Sequence, residues 1–99
     1  MRRGTTPTHI FEVDVDLTEA EAIYVTYRQV ENVIVEKTIE DVTVEPERIT
    51  LTLTQLETLA FRVPLTVSIQ IRAKFPDGTA IASNIIHTDV EAILKGGEI

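Results

Sequence analysis

From Leu65 to Phe75 the chain alternates apolar and polar residues without a break. Leu65, Val67, Ile69, Ile71, Ala73 and Phe75 fall on one side, and Thr66, Ser68, Gln70, Arg72 and Lys74 on the other. Successive side chains of an extended backbone point to opposite faces, so this pattern predicts one long strand buried on one face, not a helix. Phe75-Pro76-Asp77-Gly78 then closes it. Pro76 presets φ at the second turn position, Asp77 suits the third, and Gly78 can take the left-handed conformation of a bulged hairpin loop. Thr79 begins the return strand, and a three-residue loop sets Ala73 opposite Ile81 and Ile71 opposite Ser83. Ile86 and Val90 have the opposite parity to Ile81, which predicts a bulge near Ser83-Asn84.

A chain of 99 residues is expected to form one domain with its own core. With 43% apolar residues it is ordinary for a folded protein; with 5% aromatics and no tryptophan its core must be aliphatic and β-branched. The formal net charge of −7 argues against nucleic acid as a partner. The lack of cysteine removes disulfides, thiolate metal sites and thiol nucleophiles. Arg2 and Arg3 are followed by polar residues through Thr8, where a signal peptide needs an apolar run, and no segment reaches membrane-spanning length. Synthesis and folding in the cytoplasm, without a membrane, is the expectation.

The remaining segments read as follows. Residues 1–7 are expected to be a flexible arm, 8–95 a single domain and 96–99 a tail. Strand one spans about Thr8 to Leu17, with His9, Phe11, Val13, Val15 and Leu17 inward. Strand two carries Ile23, Val25 and Tyr27 inward, a tight turn follows at Glu31-Asn32, and strand three covers Val33 to Ile39. Inward residues then switch to Val42 and Val44, so a bulge or corner is expected at Glu40-Asp41. Glu45-Pro46-Glu47 is a turn, and Ile49, Leu51 and Leu53 alternate in the next strand. Thr18 with Glu21 and Thr54 with Glu57 have capping-box spacing, which predicts one-turn helices near 18–22 and 54–60. Leu56, Leu59 and Ala60 would cover one end of the core. A third turn is expected near 90–95, stopped by Gly96 and Gly97. The whole is an all-β antiparallel sandwich with one-turn helical connections; a small partly open barrel is the alternative.

No constellation in the sequence carries chemistry. Glu12, Asp14 and Asp16 share a strand face but lack a loop that would wrap calcium, and they read as a solvated acidic face paired with Arg28, Arg72 or Lys74. Glu19 with Glu21 and Glu45 with Glu47 are explained by caps and turns. His9 and His87 belong to no metal motif, and Ser68 and Ser83 to no nucleophile elbow. No metal, cofactor or catalytic residue is therefore expected. The candidate interface is an uncharged outward patch of Thr50, Thr52 and Thr54 with Thr66, Ser68 and Gln70, should their strands lie together. A threonine-rich solvated face is the commoner meaning of such a pattern. Of Tyr24 and Tyr27, opposite in parity, one should be core and one exposed.

Three stretches together, MRRGTTPTH at the start, LTLTQLETLAF over 51–61 and the hairpin ending in DGTAIASNI, resemble small proteins of phages and prophages of Gram-positive bacteria. The hairpin is also similar to the N-terminal β-sandwich domain of phage baseplate upper proteins. The resemblance implies an immunoglobulin-like sandwich and a non-enzymatic tail- or baseplate-type structural role. Its partners would be other phage structural proteins or further copies of itself, with incorporation into a virion. A stand-alone module binding a carbohydrate or bacterial-surface ligand is the second expectation.

Overall fold

The computed structural model describes all 99 residues, from Met1 to Ile99. Its strands are β1 (Thr8–Glu12), β2 (Ala22–Gln29), β3 (Asn32–Thr38), β4 (Thr43–Glu45), β5 (Arg48–Thr52), β6 (Val67–Lys74), β7 (Ala80–Ala82) and β8 (Ile86–Thr88). One helical turn, α1 (Gln55–Leu59), and a 3-10 turn at Ile39–Asp41 complete the list. Two antiparallel sheets pack face to face, one ordered β1-β5-β4 and the other β3-β2-β6-β7, with β8 also on β6. This is the all-β sandwich that the alternation predicts.

The apolar side of the long segment lies at the centre. Val67, Ile69, Ile71 and Ala73 of β6 are buried beside Ile23, Val25 and Tyr27 of β2. Phe11, Ile49 and Leu51 from the other sheet meet them, and Leu17, Leu53, Phe61 and Val90 close the margins. Tyr24 is exposed and Tyr27 fully buried, as their opposite parity requires.

The hairpin has the expected register, with Ala73 opposite Ile81. The Gly78 N–H donates to the Phe75 carbonyl at 2.9 Å, and the Phe75 N–H to the Thr79 carbonyl at 2.8 Å. Gly78 has φ +91°, the left-handed region this loop demands. Strands β7 and β8 are one strand interrupted by a bulge: β7 pairs Arg72 with Ala82, whereas β8 pairs Ile69 with Ile86, a shift of one residue. Side chains stitch the gap. The Ile71 N–H donates to Ser83 Oγ at 3.0 Å, and Gln70 Nε2 donates to the Ser83 carbonyl at 3.0 Å.

Several expectations are corrected. Strand one stops at Glu12, because the Val13 and Leu17 N–H groups bond the Glu47 and Pro46 carbonyls of the β4–β5 turn; Val15 is left exposed while Leu17 is buried. No helix forms at 18–22. Asp16 Oδ1 accepts from the Thr18 N–H at 2.9 Å, and the Glu21 N–H donates to the Lys74 carbonyl, so the sheet claims the backbone that a helix would need. The turn after β2 sits at Val30-Glu31, one residue earlier than Glu31-Asn32, with Gln29 paired to Asn32. Gln29 is buried and donates to the Arg62 and Leu65 carbonyls while accepting from the Arg62 N–H, which holds β2 in the core to its last residue. A bulge opposite Tyr27 and Arg28 turns Val33 outward. The corner near Glu40-Asp41 is the 3-10 turn, where Asp41 Oδ2 accepts from the Thr38 N–H at 2.9 Å.

Turn α1 forms where predicted, with Thr54 Oγ1 accepting from the Glu57 N–H and Glu57 Oε1 from the Thr54 N–H. Its inward residues are nevertheless Thr58 and, just beyond it, Phe61; Leu56 is exposed. The reason lies in residues 1–7, which are engaged rather than free. The Thr58 hydroxyl donates to the Thr5 carbonyl at 2.8 Å and accepts from the Thr5 N–H at 3.1 Å. Arg3 Nη2 donates to the Leu59 carbonyl, and the Leu53 N–H donates to the Pro7 carbonyl. Residues 90–95 form no helix because Glu91 makes a parallel bridge with Arg2.

Candidate functional site

The outward candidate residues divide between the two sheets. Thr50 and Thr52 belong to β5, while Ser68 and Gln70 belong to β6 with Thr66 just before it. Because the inner faces of the sheets meet, these groups look out on opposite sides of the sandwich and form no common patch. Thr54 is the cap of α1 and belongs to neither.

On the outer face of the three-stranded sheet, Thr50 pairs with Ile10 on one side and Thr43 on the other. Thr52 pairs with Thr8, their hydroxyls 2.9 Å apart. Ile10 is 61% exposed. Charges collect at one end of this face, where Arg48 contacts Glu12 at 3.3 Å and Glu45 at 3.9 Å. Glu12 thus pairs with Arg48 and not with the expected Arg28, Arg72 or Lys74; Lys74 pairs with Glu21 at 3.5 Å. Asp14 and Asp16 lie beyond the strand, and hydrogen bonds from Thr18 hold the Asp16 carboxyl below its usual range.

The outer face of the five-stranded sheet is differently built. Register sets Tyr24 opposite Arg72, Thr26 opposite Gln70 and Arg28 opposite Ser68. Thr26, Arg28, Ser68, Gln70, Arg72 and Ile85 line a hollow of about 210 Å³. Arg72 also borders a larger depression of about 500 Å³ with Tyr24, Ala22, Lys74 and Ala80. Glu21 and Ala73 complete its lining, so a carboxylate stands beside the two cations there. His87 Nδ1 lies 3.2 Å from Ser68 Oγ at the margin. Sequence reading placed Arg28 and Arg72 outward by parity, but their convergence depends on the pairing of β2 with β6, which local periodicity does not carry.

A third polar group is internal. His9 Nδ1 lies 2.7 Å from the Tyr27 hydroxyl, and the two rings stack with centroids 5.7 Å apart. Burial, with the positive N-terminus, depresses the His9 pKa. Burial, with the Glu57 carboxylate nearby, raises that of Tyr27, which stays protonated at neutral pH. Lys37 Nζ donates to Glu57 Oε1 at 2.8 Å. Desolvation pushes Glu57 up, but bonds from Lys37 and Thr54 outweigh it and its pKa is lowered. This cluster satisfies the polar atoms of the core end rather than opening onto a cleft.

No group of three or more His, Asp and Glu side chains is placed to hold a metal ion, and no helix is long and apolar enough to cross a membrane. Comparison with protein families, with curated proteins and with solved structures finds no match to this chain.

Proposed function

We propose that this protein is a non-enzymatic structural or assembly component of phage origin, an immunoglobulin-like sandwich of the tail or baseplate type that acts through protein–protein contacts. The phage origin and the immunoglobulin-like assignment rest on the sequence resemblance alone. The observation that carries the contact reading is the outer face of β1, β5 and β4. Thr8, Ile10, Thr43, Thr50 and Thr52 form an uncharged area, with the exposed Ile10 on its edge strand, in a chain where 25% of residues are charged. Charge depletion around an exposed aliphatic residue is the composition of an interface centre.

The test is an Ile10→Glu/Thr50→Glu/Thr52→Glu variant, compared with the parent by light scattering and by co-purification with proteins encoded alongside it. The variant should fold normally, since all three side chains face out, and lose self-association or partner capture. A parent that is monomeric at high concentration and captures no partner, or a variant that assembles like the parent, defeats the proposal. A second reading, a module that binds a carbohydrate or surface ligand, is favoured by the opposite face. There Tyr24 stands 45% exposed beside Arg72 over a depression of about 500 Å³.

A further inference from the structure

Arg28 and Arg72 share the outer face of the five-stranded sheet. Of the 9 basic residues, Lys37, Arg48 and Lys74 each reach a carboxylate. Arg28 and Arg72 make no ion pair, although both line the same hollow. Two cationic side chains on the wall of one small space put like charges near it, and an anion entering there offsets their repulsion. The hollow's polar wall is Thr26, Ser68 and Gln70. Gln70 uses its amide nitrogen on the Ser83 carbonyl and Thr26 donates to Glu36 Oε2 at 3.4 Å, which leaves the arginines as the cationic donors of the wall. Each guanidinium offers a planar fork of N–H groups matched to a carboxylate, phosphate or sulfate. At about 210 Å³ the space suits a small charged group, not a whole ligand. The adjoining depression, reached across Arg72 and bounded by Tyr24, has room for the body attached to it, and a tyrosine ring is a surface on which a sugar ring or similar apolar face can rest.

We propose that the outer face of β2 and β6 is a binding site for an oxyanion-bearing ligand of sugar-phosphate type, with the anionic group held between Arg28 and Arg72 and the ring against Tyr24. This rests on the binding-module reading and gives its ligand class. It does not involve the opposite face, on which the assembly reading rests. Ile85, brought onto this side by the bulge between β7 and β8, supplies an apolar flank. Lys74, tied to Glu21 at 3.5 Å, adds positive potential at the far end.

The experiment is an NMR titration of the backbone amides and arginine Nε–H groups at constant ionic strength, with inorganic phosphate, glucose 6-phosphate and glucose in separate arms. Phosphate and glucose 6-phosphate should shift residues 24–28, 68–72 and 85 saturably, the sugar phosphate more tightly. Phosphate binding as tightly as glucose 6-phosphate would restrict the site to the free anion and overturn the sugar-phosphate assignment. An Arg28→Gln/Arg72→Gln variant should weaken binding by about tenfold or more, because two charge-assisted forks are removed, whereas Lys95→Ala should change nothing. Shifts scattered over Arg2, Arg62 and Lys95 without saturation would overturn the proposal. So would binding that survives the double substitution, or a glutamate-rich peptide that occupies the face where the sugar phosphate does not. Saturable binding of neutral glucose with no preference for the phosphate would defeat this inference yet keep the binding-module reading; no small molecule at this face defeats both.

Discussion

Thr58 shows how much one hydroxyl can decide. It is fully buried, and it serves the N–H and carbonyl of Thr5 in the manner of a neighbouring strand. Thr58→Val keeps the shape and removes the bonds, so it should cost about 1–3 kcal/mol through two backbone groups left without partners. Hydrogen exchange at residues 3–7 should rise with it; an unchanged denaturation midpoint would show that water replaces the hydroxyl. His9 makes a second residue-scale prediction. Its folded pKa lies below the ordinary 6.5, chiefly through burial, so between those two values the unfolded chain binds more protons than the folded one. Stability should therefore rise with pH through that window and fall as acid is added from about neutrality. The carboxylates whose pKa is lowered, such as Asp41 and Glu57, add their own loss at more acidic pH. Chemical denaturation across pH 5–8, a range about the unperturbed histidine value, should show the slope in the parent and a flatter line for His9→Gln.

Strands were legible where their pattern is local. The alternation in β6 identifies Val67, Ile69, Ile71 and Ala73 as core, and each is nearly fully buried. Ile71→Ala should accordingly destabilise by about 2–5 kcal/mol in a urea melt, and a loss under 1 kcal/mol would mean the site collapses around the gap. The hairpin loop and the bulge near Ser83 were also readable, because turn residues and a change of parity are printed in the chain itself. The helical turns were less so. Capping-box spacing occurs at both Thr18 and Thr54, but only the second forms a helix. At Thr18 the ladder bond from Glu21 to Lys74 competes for the backbone, and that competitor lies far away in sequence. The same limit hid the arginine hollow and divided the threonine patch. Parity says which side of its own strand a residue takes, while only sheet order says whether two such sides look in one direction. Gln70 adds a refinement: outward by parity, it is nevertheless committed to the bulge, so Gln70→Ala should cost about 0.5–1.5 kcal/mol where an idle surface residue would cost almost nothing. Equal midpoints for Gln70→Ala and the parent would show the bulge to be held by Ser83 alone.

The whole molecule measures 48 × 25 × 17 Å, a slab whose two broad sides differ in character. One side is uncharged at its centre and the other carries two unpaired arginines, so the proposed assembly contact and the proposed ligand site lie on opposite sides. The parallel bridge between Arg2 and Glu91 has a mechanical meaning. The Glu91 N–H donates to the Met1 carbonyl at 2.9 Å, the Arg3 N–H to the Glu91 carbonyl at 3.2 Å, and Arg2 Nη1 to the Ala92 carbonyl at 2.6 Å. Because the two segments run the same way, tension drawing residues 1–3 backward and residues 91–99 forward slides them past each other. The bonds then carry the load side by side instead of opening one after another like a zip. In single-molecule pulling, rupture through these segments should need more force than rupture between Arg72 and Ala82, the paired ends of a hairpin that opens bond by bond.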